Sequence, residues 1–163
     1  MKRFLKSFVY AFKGITYCIL HERNMRVHLC FALYMFGFLT VHDFFEVSRT
    51  QFAILFIACA VVMALEAVNT AVEKSVDLQT KELKPLAKIA KDAAAGAVLF
   101  GAMGAVGAGI AILYQPEAFV KMFEYYKENI PVLIGFVISF IASVIFALTG
   151  PLEIIAFFKK HVK

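Results

Sequence analysis

An unbroken apolar segment at residues 52–65 leads directly into four polar residues that follow at intervals of three, four and four: Glu66, Asn69, Glu73 and Asp77. On a helix of about 3.6 residues per turn these side chains form one stripe, here called the polar stripe. Carboxylates at membrane depth are costly and normally face a bundle interior or a water-filled site. A solvated helix end would explain Asp77 but not Glu66, which directly follows the apolar segment. We therefore interpret the polar stripe as functional.

The composition indicates an integral membrane protein. The chain has 163 residues, of which 61% are hydrophobic, and its mean hydropathy of +0.77 is well above that of an ordinary soluble domain. This length accommodates four membrane spans with short connections. We expect an all-α integral membrane protein with a core at 1–114 and a C-terminal extension at 115–163. Its helices are predicted as a surface helix at 2–20 and spans at about 27–41, 51–72, 86–114 and 130–149.

The N-terminal segment has the pattern of an amphipathic helix that lies on the membrane surface rather than crossing it. Apolar side chains recur at helical spacing, whereas the basic residues lie off that line. The apolar set is Phe4, Phe8, Phe12, Ile15 and Ile19. We expect the basic face of this helix to contact lipid headgroups.

The basic residues are distributed unevenly along the chain, which has a net charge of +5 and a pI of about 9.1. If both termini and the segment 73–92 lie on one side of the membrane, fourteen of the seventeen Lys and Arg residues lie there. By the positive-inside rule this side is cytoplasmic, so both termini are expected in the cytoplasm. The charge is therefore sorted by the membrane and does not form a nucleic-acid-binding patch.

The third predicted span carries a small residue at every fourth position. These residues are Ala93, Ala97, Gly101, Ala105 and Gly109. The face that they form, here called the small-residue face, has no side chain larger than a methyl group, so another helix can approach it closely. The pattern predicts a close helix contact, either within the chain or with a neighbouring subunit.

The cytoplasmic boundary collects the groups that phosphoryl transfer requires. The chain has no G-x-x-x-x-G-K-[ST] loop, no G-x-G-x-x-G segment after a strand and no protein-kinase H-R-D or D-F-G set. Phosphoryl transfer needs hard oxygen ligands for Mg²⁺, cations for the phosphates and a base for the attacking hydroxyl. All three kinds of group are present near this boundary: Glu22, Glu66, Asn69, Glu73, Asp77, Lys84, Lys88, Lys91 and Asp92.

Three segments together resemble those of the small bacterial membrane lipid kinases, a family that includes prokaryotic diacylglycerol kinase and the Gram-positive undecaprenol kinases. The segments are E-A-V-N-T-A-V-E-K-S-V-D at 66–77, A-K-D-A-A-A-G-A-V at 90–98, and an upstream F-K-G followed by H-E-R-N-M-R-V-H. Their order and spacing agree with the family, and the resemblance covers roughly 3–114. The H-E-R-N-M-R-V-H segment is more similar to the undecaprenol kinases.

The resemblance implies an ATP- and Mg²⁺-dependent kinase whose sites lie at the cytoplasmic membrane face and are shared between the subunits of a homotrimer. It implies Glu66 as the general base for the lipid hydroxyl and Asn69 as a group that positions the reactants. Glu22 and Glu73 would hold the Mg²⁺ that bridges the ATP phosphates. The nucleotide pocket would be formed by Arg3, Tyr10, Asp77, Glu82, Lys84, Lys91 and Asp92.

The substrate implied by the resemblance is a lipid alcohol of the bacterial inner membrane, with undecaprenol as first choice and diacylglycerol as the alternative. A small cation or proton transporter is the alternative from another class, but residues 52–65 and 130–148 carry no charged group for a path across the membrane. A catalytically inactive scaffold is a further alternative. The relatives have three spans, so the fourth span is an addition whose place in the assembly is open.

Several residues also have a structural interpretation. Arg3 and Tyr10 could anchor the surface helix among lipid headgroups, and Lys88 is expected to act only in setting the topology. His28, a lone histidine at the start of a span, is expected to be an interfacial residue with no catalytic part.

Overall fold

The computed structural model describes residues 2–79 and 84–161, and within these ranges the chain is helical, with no β-strand. The helices are α1 (Lys2–His21), α2 (Arg23–Val41), α3 (Arg49–Gln79), α4 (Pro85–Leu113), α5 (Pro116–Glu128), α6 (Ile130–Thr149) and α7 (Pro151–His161). By length and composition, α2, α3, α4 and α6 can each cross a membrane. This architecture confirms the expected all-α integral membrane fold with an N-terminal surface helix and four spans.

The surface helix and the first span are separated by a single residue. Glu22 has an extended backbone (φ −103°, ψ 117°), so α1 ends before it and α2 begins after it. The polar segment that precedes the predicted span at 27–41 is therefore helical, and it extends the first span to 19 residues. This length is closer to what a membrane crossing requires. We call Glu22 the α1–α2 joint.

The helices α3 and α4 form the most extensive helix pair of the described chain. The small-residue face allows this close packing at Gly101, because a Cβ atom there would lie only 2.6 Å from Leu65 Cδ1. At this level the partner of the small-residue face is α3 of the same chain. One and two turns further along, Ala105 and Gly109 instead line an apolar cleft of about 520 Å³ between α2, α3 and α4.

The fourth span packs along α2 and not along the α3–α4 pair. The Tyr34 hydroxyl donates a hydrogen bond to Ser139 Oγ (3.0 Å). One turn later, the rings of Phe38 and Phe136 meet edge to face with centroids 5.4 Å apart. These contacts place α6 beside α2. The fourth span therefore does not cover the α3–α4 pair.

The segment after the fourth span is a helix that the sequence pattern did not predict. Gly150 ends α6 with a positive φ of 85°, and α7 begins at the next residue, Pro151. Proline at the first helical position is favoured because its missing N–H would have no partner there. Exposed apolar side chains on α7 precede Lys159 and Lys160, a composition typical of a helix at the membrane surface.

We expect Gly101→Ile to weaken the packing of α3 against α4. The larger side chain must displace the end of Leu65 and disturb the packing around it, so the free energy of unfolding should fall by about 1–3 kcal/mol. Reversible unfolding in detergent micelles, followed by helical circular dichroism, measures this change. Gly104→Ile is the matched control on the same helix, because its Cβ would meet nothing within 4 Å. Equal destabilisation by the two substitutions would contradict the assigned packing.

Candidate functional site

The first residue of the polar stripe is enclosed between helices. Glu66 is only 3% exposed although it follows an apolar segment of α3. Its carboxylate Oε1 lies 3.6 Å from Nε2 of His28 on α2, which is within ion-pair distance. The expectation that His28 is only an interfacial residue did not include this contact. The available signal was depth, because α2 begins at the membrane boundary where α3 ends, so the start of α2 and the end of α3 lie at the same level.

The second turn of the polar stripe leaves one polar atom without a partner. The amide Nδ2 of Asn69 donates a hydrogen bond to Glu73 Oε1 (3.3 Å), on the next turn of α3. The amide oxygen of Asn69 is buried and accepts no hydrogen bond within the described residues. Buried acceptors are almost always satisfied in folded proteins. An acceptor in this state can receive a hydrogen bond from a ligand or coordinate a cation.

The α1–α2 joint lies against the part of α3 that carries Glu73. Lys74, the next residue along the chain, lies near Tyr17 of α1 and near the carboxylates of Glu22 and Asp77. Glu22 is half-buried at the joint. The two carboxylates that the resemblance assigns to Mg²⁺ therefore belong to helices that meet at this point, α1 and α2 on one side and α3 on the other.

The last residue of the polar stripe pairs with the next helix. Asp77 Oδ1 lies 2.6 Å from Nζ of Lys91 on α4, and both side chains are substantially exposed. Asp92, the neighbour of Lys91, is exposed, and Lys84 is exposed immediately before α4 begins. Because these side chains are exposed, this end of the polar stripe is open, in contrast to the enclosed end at Glu66.

Two of the expected nucleotide residues lie on the surface helix. Arg3 and Tyr10 are exposed on α1, and Tyr10 is 66% exposed. Glu82 lies outside the described residues. Within 2–79 and 84–161, no three His, Cys, Asp or Glu side chains lie close enough together to hold a metal ion on their own.

The comparison with protein families gives a match over most of the site. The model of the prokaryotic diacylglycerol kinase family matches residues 9–113. The undecaprenol kinase of Bacillus subtilis (strain 168) is 44% identical over 100 residues, which are 60% of this chain and 77% of that protein. A diacylglycerol kinase of Synechocystis is 39% identical over 113 residues, which are 69% of this chain and 63% of that protein. A diacylglycerol kinase of Helicobacter pylori (strain 26695) is 31% identical over 100 residues, and no solved structure matches.

A bundle of membrane spans with an acidic site at one boundary, matched by relatives of this kind, defines a membrane-embedded lipid kinase, which is a transferase. The chain belongs to the prokaryotic diacylglycerol kinase family. The resemblance drawn from the three sequence segments is thereby confirmed. The chain is a bacterial membrane protein whose matched region contains all the site residues from Tyr10 to Asp92.

We expect His28→Leu to destabilise the protein through Glu66. The substitution leaves a buried carboxylate without its partner, so the free energy of unfolding should fall by about 1–3 kcal/mol. In a chain that already carries Glu66→Gln, the same substitution should cost less. Reversible unfolding of the four proteins of this double-mutant cycle measures the coupling. Additive effects would show that the two side chains do not interact.

Proposed function

We propose that this protein transfers the γ-phosphoryl group of ATP to the hydroxyl of a membrane lipid alcohol. Undecaprenol is the preferred substrate, and undecaprenyl phosphate the product. This choice is supported by the relative named undecaprenol kinase, which is 44% identical. Diacylglycerol, which would give phosphatidic acid, is the alternative, because the other relatives are named diacylglycerol kinases.

The observation that carries this proposal is the burial of Glu66 beside a histidine at the end of an apolar segment. A lipid hydroxyl lies at the membrane interface, so a base at this depth can reach it while the lipid chain stays in the bilayer. Glu66 accepts the proton of that hydroxyl as its oxygen attacks the phosphorus. His28, on the neighbouring helix, holds the carboxylate in place. Fixed positions of this kind supply much of the rate enhancement in phosphoryl transfer.

The arrangement at Glu73 fits a magnesium ion in two respects. Its donors are hard oxygens, which Mg²⁺ prefers, and the oxygen of Asn69 beside it has an unused lone pair. Glu73 and Glu22 would hold the ion, which would neutralise charge on the ATP phosphates. A site with few protein ligands is typical of Mg²⁺, because substrate phosphates and water complete the coordination.

The open end of the polar stripe suits the nucleotide. The ion pair between Lys91 and Asp77 is exposed, and exposed pairs contribute at most about 1 kcal/mol, so Lys91 can exchange its carboxylate for a phosphate at little cost. Asp92 adjoins Lys91, and Lys84 lies at the start of the same helix. We propose all three as nucleotide-binding residues, with Arg3, Tyr10 and Glu82 as predicted contributors at the edge of the pocket.

The proposed topology places this site at the cytoplasmic face, where ATP is available. Four spans return the chain to its starting side, and the positive-inside rule assigns that side to the cytoplasm. Both termini are therefore proposed to be cytoplasmic, in the inner membrane of a bacterium. We also propose a homotrimer, as the resemblance to the family implies.

The proposal is tested by transfer of labelled phosphate from ATP to undecaprenol and to diacylglycerol in mixed micelles containing Mg²⁺. We expect label in undecaprenol in preference to diacylglycerol. Glu66→Gln should lower the rate by a factor of about 10²–10⁴, because loss of a general base typically has this effect. Glu117→Gln, on the exposed surface of α5, is the control and should leave the rate unchanged.

Label that enters diacylglycerol alone would keep the mechanism and replace the substrate. Absence of label from both lipids in the unsubstituted protein would reject the kinase mechanism. A rate that Glu66→Gln leaves unchanged would remove Glu66 from the role of base while the activity stands.

We expect Glu73→Gln to raise the Mg²⁺ concentration that gives half-maximal activity by about tenfold or more, because it removes a charged ligand. The affinity for the lipid alcohol should change little. A titration of activity with Mg²⁺ at saturating lipid measures the shift. Glu124→Gln on α5 is the control for a change of net charge alone. The metal assignment fails if the two variants respond alike.

A further inference from the structure

Arg26 on α2 is buried, yet its hydrogen bonds go to backbone carbonyl groups. The side chain is 5% exposed, and Nε donates to the carbonyl of Ala147 (3.1 Å). The Nη1 group donates to the carbonyls of Ile19 (3.2 Å) and Leu20 (3.3 Å). Ala147 lies in the last turn of α6, and the other two lie in the last turn of α1. Arg26 therefore joins the C-terminal ends of two helices.

This position suits a cation for two reasons. The last carbonyls of a helix have no partner within the helix, and they carry the negative end of the helix dipole. A guanidinium group has five N–H donors in a fixed plane, so it can serve carbonyls of both helices at once. No carboxylate pairs with Arg26 in the described part of the chain, so these helix ends are its stabilising partners.

The end of the fourth span leaves space for the side chain of Arg26. Gly150, directly after α6, has φ 85° and ψ 154°, a conformation that is essentially restricted to glycine. A Cβ atom at this position would lie 3.1 Å from Cζ and from Nη2 of Arg26. Gly150 thus ends the helix and also leaves room for the guanidinium group against its backbone.

Arg26 is also directly connected to the proposed metal site. It lies one turn after Glu22, and its backbone N–H approaches the Glu22 carbonyl (3.4 Å). The residues that it holds on α1 lie within one turn of Tyr17, and α1 packs against α3, where Lys74 next to Glu73 lies near Tyr17. The orientation of the α1–α2 joint relative to α3 therefore depends on what Arg26 binds.

We propose that Arg26 is a positioning residue and that the fourth span is a positioning element of the kinase. By holding the end of α1 against the end of α6, Arg26 fixes the angle of the α1–α2 joint and so the place of Glu22 relative to Glu73. This inference rests on the proposed function, in which those two carboxylates hold Mg²⁺. It assigns the fourth span, which lies outside the family match at 9–113, a part in the reaction.

The test compares the full chain with two variants in lipid nanodiscs. Gly150→Ala strains the backbone at its positive φ and also presses on the guanidinium group, whereas Arg26→Lys keeps the cation but loses the planar fork without this backbone strain. Gly135→Ala is the control within α6, because its Cβ would meet nothing within 4 Å. Hydrogen–deuterium exchange of residues 15–22 reports the end of α1. Electron paramagnetic resonance of Mn²⁺, with a non-hydrolysable ATP analogue, reports binding of the metal.

We expect both variants to exchange faster at residues 15–22 and to bind Mn²⁺ about tenfold or more weakly, as is typical when a group supporting a metal ligand is lost. The Mg²⁺ concentration for half-maximal activity should rise in parallel, with the KM for the lipid alcohol unchanged. Gly135→Ala should match the unsubstituted chain. Arg26→Lys keeps the test valid if Gly150→Ala does not fold.

Two results would overturn the inference. One is faster exchange at residues 15–22 with unaltered Mn²⁺ affinity, which would make the contact purely structural. The other is unaltered exchange in both variants, which would show that Arg26 does not hold the end of α1. Failure of the proposed function would be distinguishable, because it would appear in the unsubstituted chain as an absence of both Mn²⁺–nucleotide binding and phosphate transfer.

Discussion

The carboxylate of Glu66 is buried in α3, directly after fourteen apolar residues. The arrangement of the neighbouring helices follows from the need to stabilise this buried group. Burial of such a group is costly unless other polar groups surround it. The chain supplies His28 from α2, so α2 and α3 must meet at the depth of the carboxylate. The group is thereby held on two packed helices and not on a loop. Rigid elements of this kind hold reacting groups in a defined geometry.

The opposite end of the polar stripe is governed by a different balance. Asp77 and Lys91 are close but exposed, so water and salt reduce the strength of their attraction. Between the two ends, the oxygen of Asn69 accepts no hydrogen bond from the residues that the structure describes. The polar stripe thus contains, in order, the buried carboxylate of Glu66, the free acceptor of Asn69 and the exposed ion pair of Asp77. In the proposed reaction, the buried end would receive the lipid substrate and the exposed end the nucleotide, so the gradient of burial along one helix would separate the two substrates.

The sequence predicted what depends on one helix at a time. Hydropathy located the four spans, and helical periodicity placed Glu66, Asn69, Glu73 and Asp77 on one face of α3. Of the features that depend on two helices, only the close contact of the small-residue face was predicted, and its partner was left open. The contact of His28 with Glu66 requires the distance between α2 and α3, which no periodicity contains. The residues after Gly150 were interpreted as a polar tail of the fourth span, so the helix α7 was not predicted.

The helix α2 explains how a fourth span can be present without altering the site. His28 and Arg26 are two residues apart, and at about 100° per residue their side chains lie on nearly opposite faces of the helix. His28 faces Glu66 and the cleft, whereas Arg26, like Tyr34 two turns later, faces α6. The added span therefore contacts the side of α2 that the site does not use. Any influence of α6 on the chemistry must then act through the orientation of whole helices. In the proposed arrangement, the α1–α2 joint at Glu22 would convert such an orientation into the displacement of a carboxylate.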